Sequence, residues 1–549
     1  MDKRILKYQV WIIIIGALLF IPFLGHVHLF DWDEINFAES AREMLLTKDY
    51  LTVRIFFKPF WEKPPLFIWM QVLSMKLFGV NEFAARFPNA ICGIMTLLVL
   101  FNLGRKLYHE KFGAIWAMVY CCSVLPFFYF KSGIIDPWFN LFIFIGIYSW
   151  ILALDCKQRI KELVYILISA AGIGLGMLTK GPVSLLVFGL VAGILFLVNG
   201  FRLGIGWKNL ILFFVALIFV GGFWFMLQVI TGHADVIAEF IEYQIRLFRT
   251  KDAGHGGFPL YHFIILLFGM FPASIFAIQG HKYKGRMDRH KLVHIGMITL
   301  LWIVLLLFSI VKTKIVHYSS LTYFPLSYLA AYSINQILKG KFKFRIWQKV
   351  LLGIVGTVLG AFVILLPVIK EHKEYFIHKG IITHSFTIGN LEAVTTLGWG
   401  HSMIGVVFLL GVFSALFLYK RHLFTKIVTL FLSTLFFIYL SMIFIIPEAE
   451  KISQNAVIEF IKEKKDQDVY IQSFYKSYAV LFYSNQQIPK DNRIFDIDWL
   501  TAGETDKDTY FIFRIDKKEE IMKRYPNIKI VHEKNGYIFS KRTAQKSGS

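Results

Sequence analysis

Charged side chains are scarce in this sequence: Asp, Glu, Lys and Arg make up 17% of its 549 residues, whereas hydrophobic residues make up 56%. The mean hydropathy is +0.57, which excludes an ordinary soluble globular protein. Apolar runs of about 17 to 23 residues recur along the chain, and each is long enough to cross a hydrocarbon core of roughly 30 Å as a helix. The sequence therefore predicts a polytopic α-helical membrane protein.

Cysteine and recognisable metal-binding or phosphate-binding motifs are also scarce. The four cysteines, Cys92, Cys121, Cys122 and Cys156, lie in or beside apolar runs, so neither a disulfide framework nor a CxxC metal site is indicated. The GIGLG sequence at 172–176 lies inside an apolar run, which is typical of helix packing and not of a phosphate-binding loop.

The apolar runs predict about thirteen transmembrane helices. They start near residues 9, 88, 112, 137, 162, 182, 209, 259, 292, 315, 348, 400 and 425. No small-residue cleavage site follows the first run, so we interpret it as an uncleaved helix and not as a signal peptide.

Lys and Arg are concentrated in alternate connections between these runs, which predicts that those connections face the cytoplasm. The net charge of +22 follows from this distribution and does not indicate binding to nucleic acid. With an odd number of spans, the N-terminus is cytoplasmic and the C-terminus lies outside. The basic residues include Lys3, Arg4, Lys7, Arg105, Lys106, Lys157, Arg159, Lys339, Lys341 and Lys349.

The composition changes near Pro447. An amphipathic helix is predicted at 451–465, and alternating apolar residues predict strands at 468–472, 509–515, 527–534 and 536–541. We therefore predict two domains: a transmembrane domain at 1–446, which includes a long outer loop at 26–87, and a small extracytoplasmic α/β domain at 447–549.

Acidic residues gather in the outer loop 26–87. Asp33 follows the first span, where a carboxylate suits a general base that faces a membrane-bound substrate. Glu39, Arg42 and Glu43 have helical spacing, so we expect Glu39 and Glu43 to be surface charges of one helix.

The sequence EKPP fixes a second pair of charges in the same loop. Pro64 and Pro65 hold the preceding backbone extended, which places Glu62 and Lys63 rigidly near the membrane surface. A lysine there can bind a lipid phosphate; the alternative is a pair of side chains that snorkel at the interface.

Two further charges lie next to prolines in later outer connections. Asp136 precedes Pro137, and capping of the following helix would explain it fully. Lys180 lies between two apolar runs, and Gly181 and Pro182 indicate a tight turn that would present Lys180 to a cavity. The alternative for Lys180 is an interfacial anchor.

Basic and aromatic residues occur in two more outer segments. Residues 231–258 contain Arg246 and Arg249 but no HxxxH or HExxH spacing, so a metal is only weakly indicated. The sequence KTKIVHYSSLTYFP contains Lys314, His317 and Tyr318, for which ordinary interface residues are the alternative. Together the outer residues form an acidic and basic set that suits an anionic, lipid-linked substrate.

Several motifs resemble those of the polytopic glycosyltransferases of the GT-C class. The branch concerned contains the bacterial aminoarabinose transferase of lipid A and the protein O-mannosyltransferases. The motifs lie in family order within roughly the first 330 residues. They are DWDEINFAESAREML, FWEKPP, RFPNA, IIDP, LTKGP, KDAGHGGFP and KTKIVHYSSLTYFPL.

The resemblance implies the GT-C fold and the transfer of a sugar from a polyprenyl phosphate, without a nucleotide, to an acceptor at the outer face of the membrane. Asp33 would be the acceptor-side carboxylate, Asp136 would support the sugar pocket, and Lys180 would take part in catalysis. Glu62 would be a ligand of a divalent metal ion. The donor phosphate would be bound by Lys63, Arg246, Arg249, Lys314 and Tyr318.

The chain departs from the family at two places. Asn36 stands where the aminoarabinose transferases have an arginine, and Tyr243 and Gln244 stand where they have a metal-ligating histidine. These departures leave the metal ion, the sugar and the acceptor open.

The resulting hypothesis is a monomeric enzyme of the bacterial inner membrane. It would move an aminoarabinose-like pentose or a hexose from undecaprenyl phosphate to lipid A, or to another envelope acceptor, on the periplasmic side. A protein O-mannosyltransferase-like enzyme and a glycan ligase are alternatives. A flippase for lipid-linked sugars would instead place charges near the middle of the spans.

Overall fold

The computed structural model describes residues 3–201, 204–249, 256–283, 289–418 and 422–544. The first part of these ranges holds α1 (Lys3–Phe20), α2 (Asp33–Thr47), β1 (Arg54–Ile55), β2 (Lys58–Pro59), α3 (Leu66–Phe78), α4 (Glu82–Leu107), α5 (Glu110–Cys121), α6 (Val124–Tyr129), α7 (Asp136–Leu154), α8 (Arg159–Lys180), α9 (Val183–Val198), α10 (Trp207–Gly221), α11 (Phe223–Ile230) and α12 (Asp235–Arg249).

The second part holds α13 (Tyr261–Gly269), α14 (Ala273–Gly280), α15 (Arg289–Ile310), α16 (Tyr323–Leu338), α17 (Ile346–Glu371), α18 (Lys373–His378), α19 (Ser385–Asn390), α20 (Trp399–Phe413), α21 (Leu423–Leu440), α22 (Ile446–Ser453), α23 (Asn455–Lys464), β3 (Tyr470–Ser473), α24 (Ala479–Tyr483), α25 (Ile497–Ala502), β4 (Thr509–Arg514), α26 (Lys518–Arg524), β5 (Lys529–Lys534) and β6 (Tyr537–Arg542).

A helix or a bent helix pair occupies each predicted apolar run. Among the described residues, seven helices are long and apolar enough to cross a membrane, and up to nine if each bent pair counts as one span. The pair α10 and α11 is bent by 56° and the pair α13 and α14 by 111°. The polytopic helical fold with a small C-terminal sheet is therefore confirmed, whereas the number of thirteen spans stays a prediction.

Glycines bring α7 and α8 into close contact. A Cβ atom added at Gly172 in α8 would lie 2.8 Å from the carbonyl oxygen of Phe142 in α7. A Cβ atom at Gly146 would meet Ile173 at 2.7 Å. The GIGLG sequence thus serves helix packing, as predicted. Because the two helices are joined by a short turn, the first residue of α7 and the last residue of α8 lie at the same end.

The outer segment 26–87 is a packed layer and not a loose loop. Nearly all of α2 is buried, and the side chains of Glu39 and Glu43 are 0% exposed. The prediction that these two glutamates are surface charges is therefore wrong. The physical reason is that the C-terminal residues cover α2, and helical spacing of charges does not reveal a cover that comes from more than 400 residues away.

The C-terminal sheet has the strand order β3-β4-β6-β5. Strands β3 and β4 are parallel, and the other two pairs are antiparallel. All four strands overlap the predicted ones. The single helix predicted at 451–465 is instead divided into α22 and α23 at Gln454.

The predicted domains share buried surface. A continuous helical stretch runs from Leu423 to Ser453, so the predicted boundary between 446 and 447 lies within it. One apolar cluster combines Ile35, Ala38 and Met44 of α2 with residues of α23, α24 and β6. The C-terminal residues therefore form a cover that is packed on the outer layer.

Candidate active site

A cavity of about 660 Å³ lies between the ends of several helices and the C-terminal cover. Its wall is formed by the start of α2, the EKPP turn, the start of α7, the end of α8, α12 and the segment before α16. The predicted site residues in this wall are Asp33, Glu62, Lys63, Asp136, Lys180, Arg246 and Tyr318.

Asp136 and Lys180 form an ion pair in this wall. The ammonium of Lys180 donates a hydrogen bond of 2.7 Å to Oδ1 of Asp136. The close packing of α7 and α8 brings the two residues together, because Asp136 begins α7 and Lys180 ends α8. Asp136 does not cap its helix: Ile135 is at the cap position, and no side chain makes a capping hydrogen bond there.

One ring nitrogen of His317 lies near two carboxylates. Its Nε2 atom is 3.7 Å from Oδ2 of Asp33 and 3.9 Å from Oδ2 of Asp136. The His317 side chain is 13% exposed, whereas that of Asp33 is 36% exposed and so is accessible from the cavity. Burial lowers the pKa of His317 despite the two carboxylates, so the imidazole is neutral at pH 7.

A second group surrounds the ring of Tyr243. The ammonium of Lys63 donates to the Tyr243 hydroxyl at 3.1 Å and lies 4.7 Å from the ring centroid. The guanidinium of Arg246 lies 5.2 Å from the same centroid and 3.7 Å from Oε1 of Glu62. Two cations are thus held side by side at one part of the cavity, which suits a phosphate.

Lys180, the ion-pair partner of Asp136, also lies next to Tyr318. Its ammonium lies 5.4 Å from the centroid of the Tyr318 ring. Tyr318 follows His317 in a short 3₁₀ segment, Val316–Thr322, that precedes α16. The sequence KTKIVHYSS therefore contributes a histidine and a tyrosine to the same cavity.

The structure does not bring Lys314, one of the predicted phosphate-binding residues, to the cavity. The ammonium of Lys314 donates to the carbonyl oxygens of Phe308, Ser309 and Val311 at 2.6–2.8 Å. Lys314 therefore caps the C-terminal end of α15, and it is not part of the cavity wall. The side chain of Arg249 lies outside the described residues.

A divalent metal ion does not fit the residues that the structure describes. Among them no group of three or more His, Cys, Asp or Glu side chains could hold a metal ion. Glu62, the predicted ligand, instead faces Arg246. Residues 251–255 of the KDAGHGGFP motif lie outside the described ranges, and the metal ion stays a prediction from the resemblance.

The cavity wall also contains cations that were not among the site residues predicted from the sequence. Arg86 forms an ion pair of 2.7 Å with Glu34 and donates to the carbonyl oxygens of Leu24, Val27 and His28. Lys131 donates to the carbonyl oxygens of Phe20 and Pro22 at the end of α1, and burial lowers the pKa of Lys131 to about 8.

Lys476 reaches the cavity from the C-terminal cover. In the sequence it is one of many lysines of a separate predicted domain, so no local signal marked it. For Arg86, the RFPNA motif was the available signal, but it did not show what the side chain contacts.

Comparison with known proteins shows similarity to lipid-linked glycosyltransferases. Residues 62–224 match a family described as dolichyl-phosphate-mannose-protein mannosyltransferase. Three relatives are described as undecaprenyl phosphate-alpha-4-amino-4-deoxy-L-arabinose arabinosyl transferases. That of Wigglesworthia glossinidia brevipalpis is 26% identical over 67% of this chain and 65% of its own length. That of Pectobacterium atrosepticum is 25% identical over 74% and 75%, and that of Edwardsiella ictaluri is 28% identical over 58% and 57%.

The matched segment thus spans just under two thirds of the first of these relatives. The structural similarity is more extensive. The crystal structure of ArnT from Cupriavidus metallidurans bound to undecaprenyl phosphate superimposes with a TM-score of 0.74, at 17% identity and over 99% of both chains. The fold predicted from the motifs is therefore confirmed: the chain has the GT-C fold of this structure. The predicted resemblance is also confirmed, since the chain is similar in sequence to aminoarabinose transferases.

Proposed function

We propose that this protein transfers a sugar from undecaprenyl phosphate to an envelope acceptor, and that the reaction takes place in the cavity that contains Asp33. One observation carries the proposal: the carboxylates of Asp33 and Asp136 lie 3.7 Å and 3.9 Å from Nε2 of His317, while Lys63, Lys180 and Arg246 line the same cavity. The names of the relatives support undecaprenyl phosphate as the donor carrier and aminoarabinose as the sugar.

In the proposed reaction, an acceptor oxygen attacks the anomeric carbon of the donor sugar. The bond from this carbon to the phosphate oxygen breaks, and the phosphate leaves with the electron pair. Lys63 and Arg246, which flank the Tyr243 ring, stabilise the developing negative charge because they are held in place before the reaction.

Asp33 is the proposed base for the acceptor. Its carboxylate faces the cavity and takes the proton when the acceptor is a hydroxyl group. A phosphate acceptor is already ionised and requires little help from a base. His317 is a positioning residue in this scheme, because its imidazole lies near the carboxylates of Asp33 and Asp136.

Asp136 has a different role from Asp33. It is paired with Lys180 at 2.7 Å, so its carboxylate is already occupied by a cation. We assign to this pair the orientation of the sugar and of the phosphate oxygen that leaves.

The chain is a multi-pass membrane protein, and we propose that the cavity opens on the periplasmic side of a bacterial inner membrane. The concentration of Lys and Arg in the opposite connections supports this orientation. Lipid A is the acceptor that we propose first, and protein or another glycan is the alternative.

A transfer assay with the purified full-length protein tests the proposal. The protein is incubated with radiolabelled undecaprenyl phosphate sugars, a pentose and a hexose, and with lipid A, and the products are identified by chromatography and mass spectrometry. We expect transfer by the wild type and a loss with Asp33→Asn. Undiminished transfer by both Asp33→Asn and Lys180→Ala would contradict the site.

A comparison of cells with and without the gene identifies the acceptor. Mass spectrometry of lipid A is expected to show the loss of one sugar-sized mass when the gene is deleted. An unchanged lipid A spectrum together with activity in the purified protein would redirect the proposal to a protein or glycan acceptor.

A further inference from the structure

We propose that Trp32 and Lys476 form an acceptor subsite that binds the phosphate-bearing sugar headgroup of a glycolipid. This inference rests on the proposed function, because it names the acceptor class of the same cavity. Its two residues come from opposite parts of the chain, the start of the outer layer and the C-terminal cover.

Lys476 lies against the ring of Trp32 in the cavity wall. Its ammonium lies 4.8 Å from the centroid of the Trp32 ring and 6.0 Å from that of Tyr478. Trp32 immediately precedes Asp33, and Trp32, Asp33 and Lys476 all line the cavity. The ammonium therefore lines the same cavity as the carboxylate that we propose to receive the acceptor proton.

Within the described ranges, no protein group accepts a hydrogen bond from the ammonium of Lys476. Other cations of the wall are satisfied by protein groups: Arg86 by Glu34, Lys131 by backbone carbonyls and Lys180 by Asp136. Within the described ranges, Lys476 makes no hydrogen bond and has no carboxylate within ion-pair distance. An exposed ammonium with three available donors is suited to a phosphate group.

The ring beneath the ammonium of Lys476 is that of Trp32. The Trp32 indole is half-buried, and its flat apolar face can contact the apolar face of a sugar while the neighbouring ammonium contacts the phosphate. The tight link between the two chain segments keeps this geometry in place. The amide of Asp31 donates to Oε1 of Gln454 at 3.1 Å, and Oδ1 of Asp31 accepts from the amide of Tyr478 at 3.5 Å.

The cations of the cavity wall come from different parts of the chain and contact different rings. Lys63 and Arg246 surround Tyr243 of α12, and we assign the donor phosphate to them. Lys476 is brought by a different segment and contacts a different ring. A second phosphate, carried by the acceptor, therefore has its own cation.

Binding and kinetics of full-length protein in nanodiscs test this subsite. The probes are bisphosphorylated lipid A and the same lipid after enzymatic dephosphorylation, and the variants are Lys476→Ala and Lys476→Arg. The matched control is Lys529→Ala, since Lys529 is an exposed lysine of β5 in the same cover and does not line the cavity.

We expect Lys476→Ala to weaken binding of bisphosphorylated lipid A about tenfold, as for the loss of one hydrogen bond to a charged group. The KM for the acceptor should rise similarly, with an unchanged KM for the donor and an unchanged kcat. Lys476→Arg should retain most of the affinity, and Lys529→Ala should equal the wild type. Binding of dephosphorylated lipid A should be the same in all variants.

Two results would overturn the subsite: equal affinity of Lys476→Ala and the wild type for bisphosphorylated lipid A, or a wild type that does not distinguish the two lipids. A failure of the proposed function gives a different result. In that case bisphosphorylated lipid A binds through Lys476, but no sugar is transferred to it.

Discussion

Lys180 has two neighbours that define what its replacement does. Its ammonium is held by Asp136 and lies over the ring of Tyr318. Replacement by methionine keeps the length of the side chain and removes the charge, so Asp136 becomes a buried carboxylate without its partner. The variant therefore distinguishes the effect of the Lys180 charge from the effect of the packing of its side chain.

We expect Lys180→Met to lower kcat/KM by about 10²–10³, the usual loss for a fixed group that stabilises a transition state. Radiolabelled sugar transfer measures this. The control is Lys208→Ala, because Lys208 lies at the start of α10 against Trp207 and away from the cavity. Activity within twofold of the wild type in Lys180→Met would remove Lys180 from the mechanism.

His317 is expected to control the acid side of the pH profile. Burial holds its pKa below the ordinary value, so the ring is neutral at pH 7 and gains a proton only at lower pH. The imidazolium then pairs with the carboxylates of Asp33 and Asp136, so that Asp33 is less available to the acceptor.

We therefore expect His317→Asn to lose activity at pH 7.5, because the carboxylates lose their neighbour, but to shift the acid limb of kcat/KM to lower pH. A purely structural role would lower activity at all pH values without moving this limb. The profile is measured from pH 5 to 8 with saturating donor, and an unmoved limb would contradict the assignment.

At the scale of elements, α2 shows how a long-range cover changes the meaning of a charged helix. Arg42 donates two hydrogen bonds of 2.7 Å to Glu39 inside the buried layer. Glu43 accepts from the amide of Phe57, which joins α2 to the hairpin of β1 and β2. Burial and the neighbouring Glu39 raise the pKa of Glu43 to about 8.

This raised pKa makes the stability of α2 sensitive to a rise in pH towards about 8. Glu43 keeps its proton in the folded state up to about pH 8, whereas an unfolded glutamate loses it near pH 4.3. The folded state thus binds more protons between these values, and stability falls as pH rises through this window.

We expect the melting temperature of the wild type to fall between pH 6 and pH 9, and that of Glu43→Gln to fall less. Thermal unfolding of the protein in detergent, followed by tryptophan fluorescence, measures both. The comparison variant is Glu463→Gln, at an exposed position of α23. Parallel pH dependence in the wild type and Glu43→Gln would contradict a protonated Glu43.

Arg86 links α4 to the entry of α2. Its guanidinium satisfies Glu34 and three backbone carbonyls, so its removal leaves several buried acceptors without a donor. We expect Arg86→Met to destabilise the fold by about 3–5 kcal/mol, the usual cost of breaking a buried ion pair from one side. Arg54→Ala, which removes the more exposed pair with Asp49, should cost about 1 kcal/mol or less. Equal melting temperatures for the two variants would contradict this role.

At the scale of the whole molecule, the C-terminal cover and the outer layer fold as one packed unit. Besides the shared apolar cluster, the Tyr483 hydroxyl accepts from the amide of Leu29 at 2.7 Å, and Gln454 donates to the carbonyl oxygen of Leu29. The cover also supplies Lys476 to the cavity wall.

Removal of residues 454–549 is therefore expected to expose the apolar face of α2 and abolish activity, although all predicted spans remain. Size-exclusion chromatography in detergent should show aggregation of the shortened chain. The matched control is the full-length chain with protease cleavage sites inserted in the exposed 485–490 turn. Cleavage there cuts the chain but leaves the cover in place. A monodisperse and active shortened chain would show that the predicted 447–549 domain is an accessory unit.

The sequence by itself determined the class of the protein, because long apolar runs and one-sided basic connections have a direct meaning in a bilayer. It also indicated Asp33, Asp136 and Lys180, since charges in the outer connections of such a protein are few. Glycine spacing in α8 predicted close helix packing, but the sequence did not reveal that this packing pairs Lys180 with Asp136.

Only the tertiary structure decided which charges share the cavity. It placed His317 near two carboxylates, used Lys314 to cap a helix and buried Glu39 and Glu43 beneath the cover. These outcomes depend on contacts between residues hundreds of positions apart, such as Trp32 with Lys476. Local sequence records the chemical type of each of these side chains, but the neighbours that determine its charge state and role are supplied by the fold.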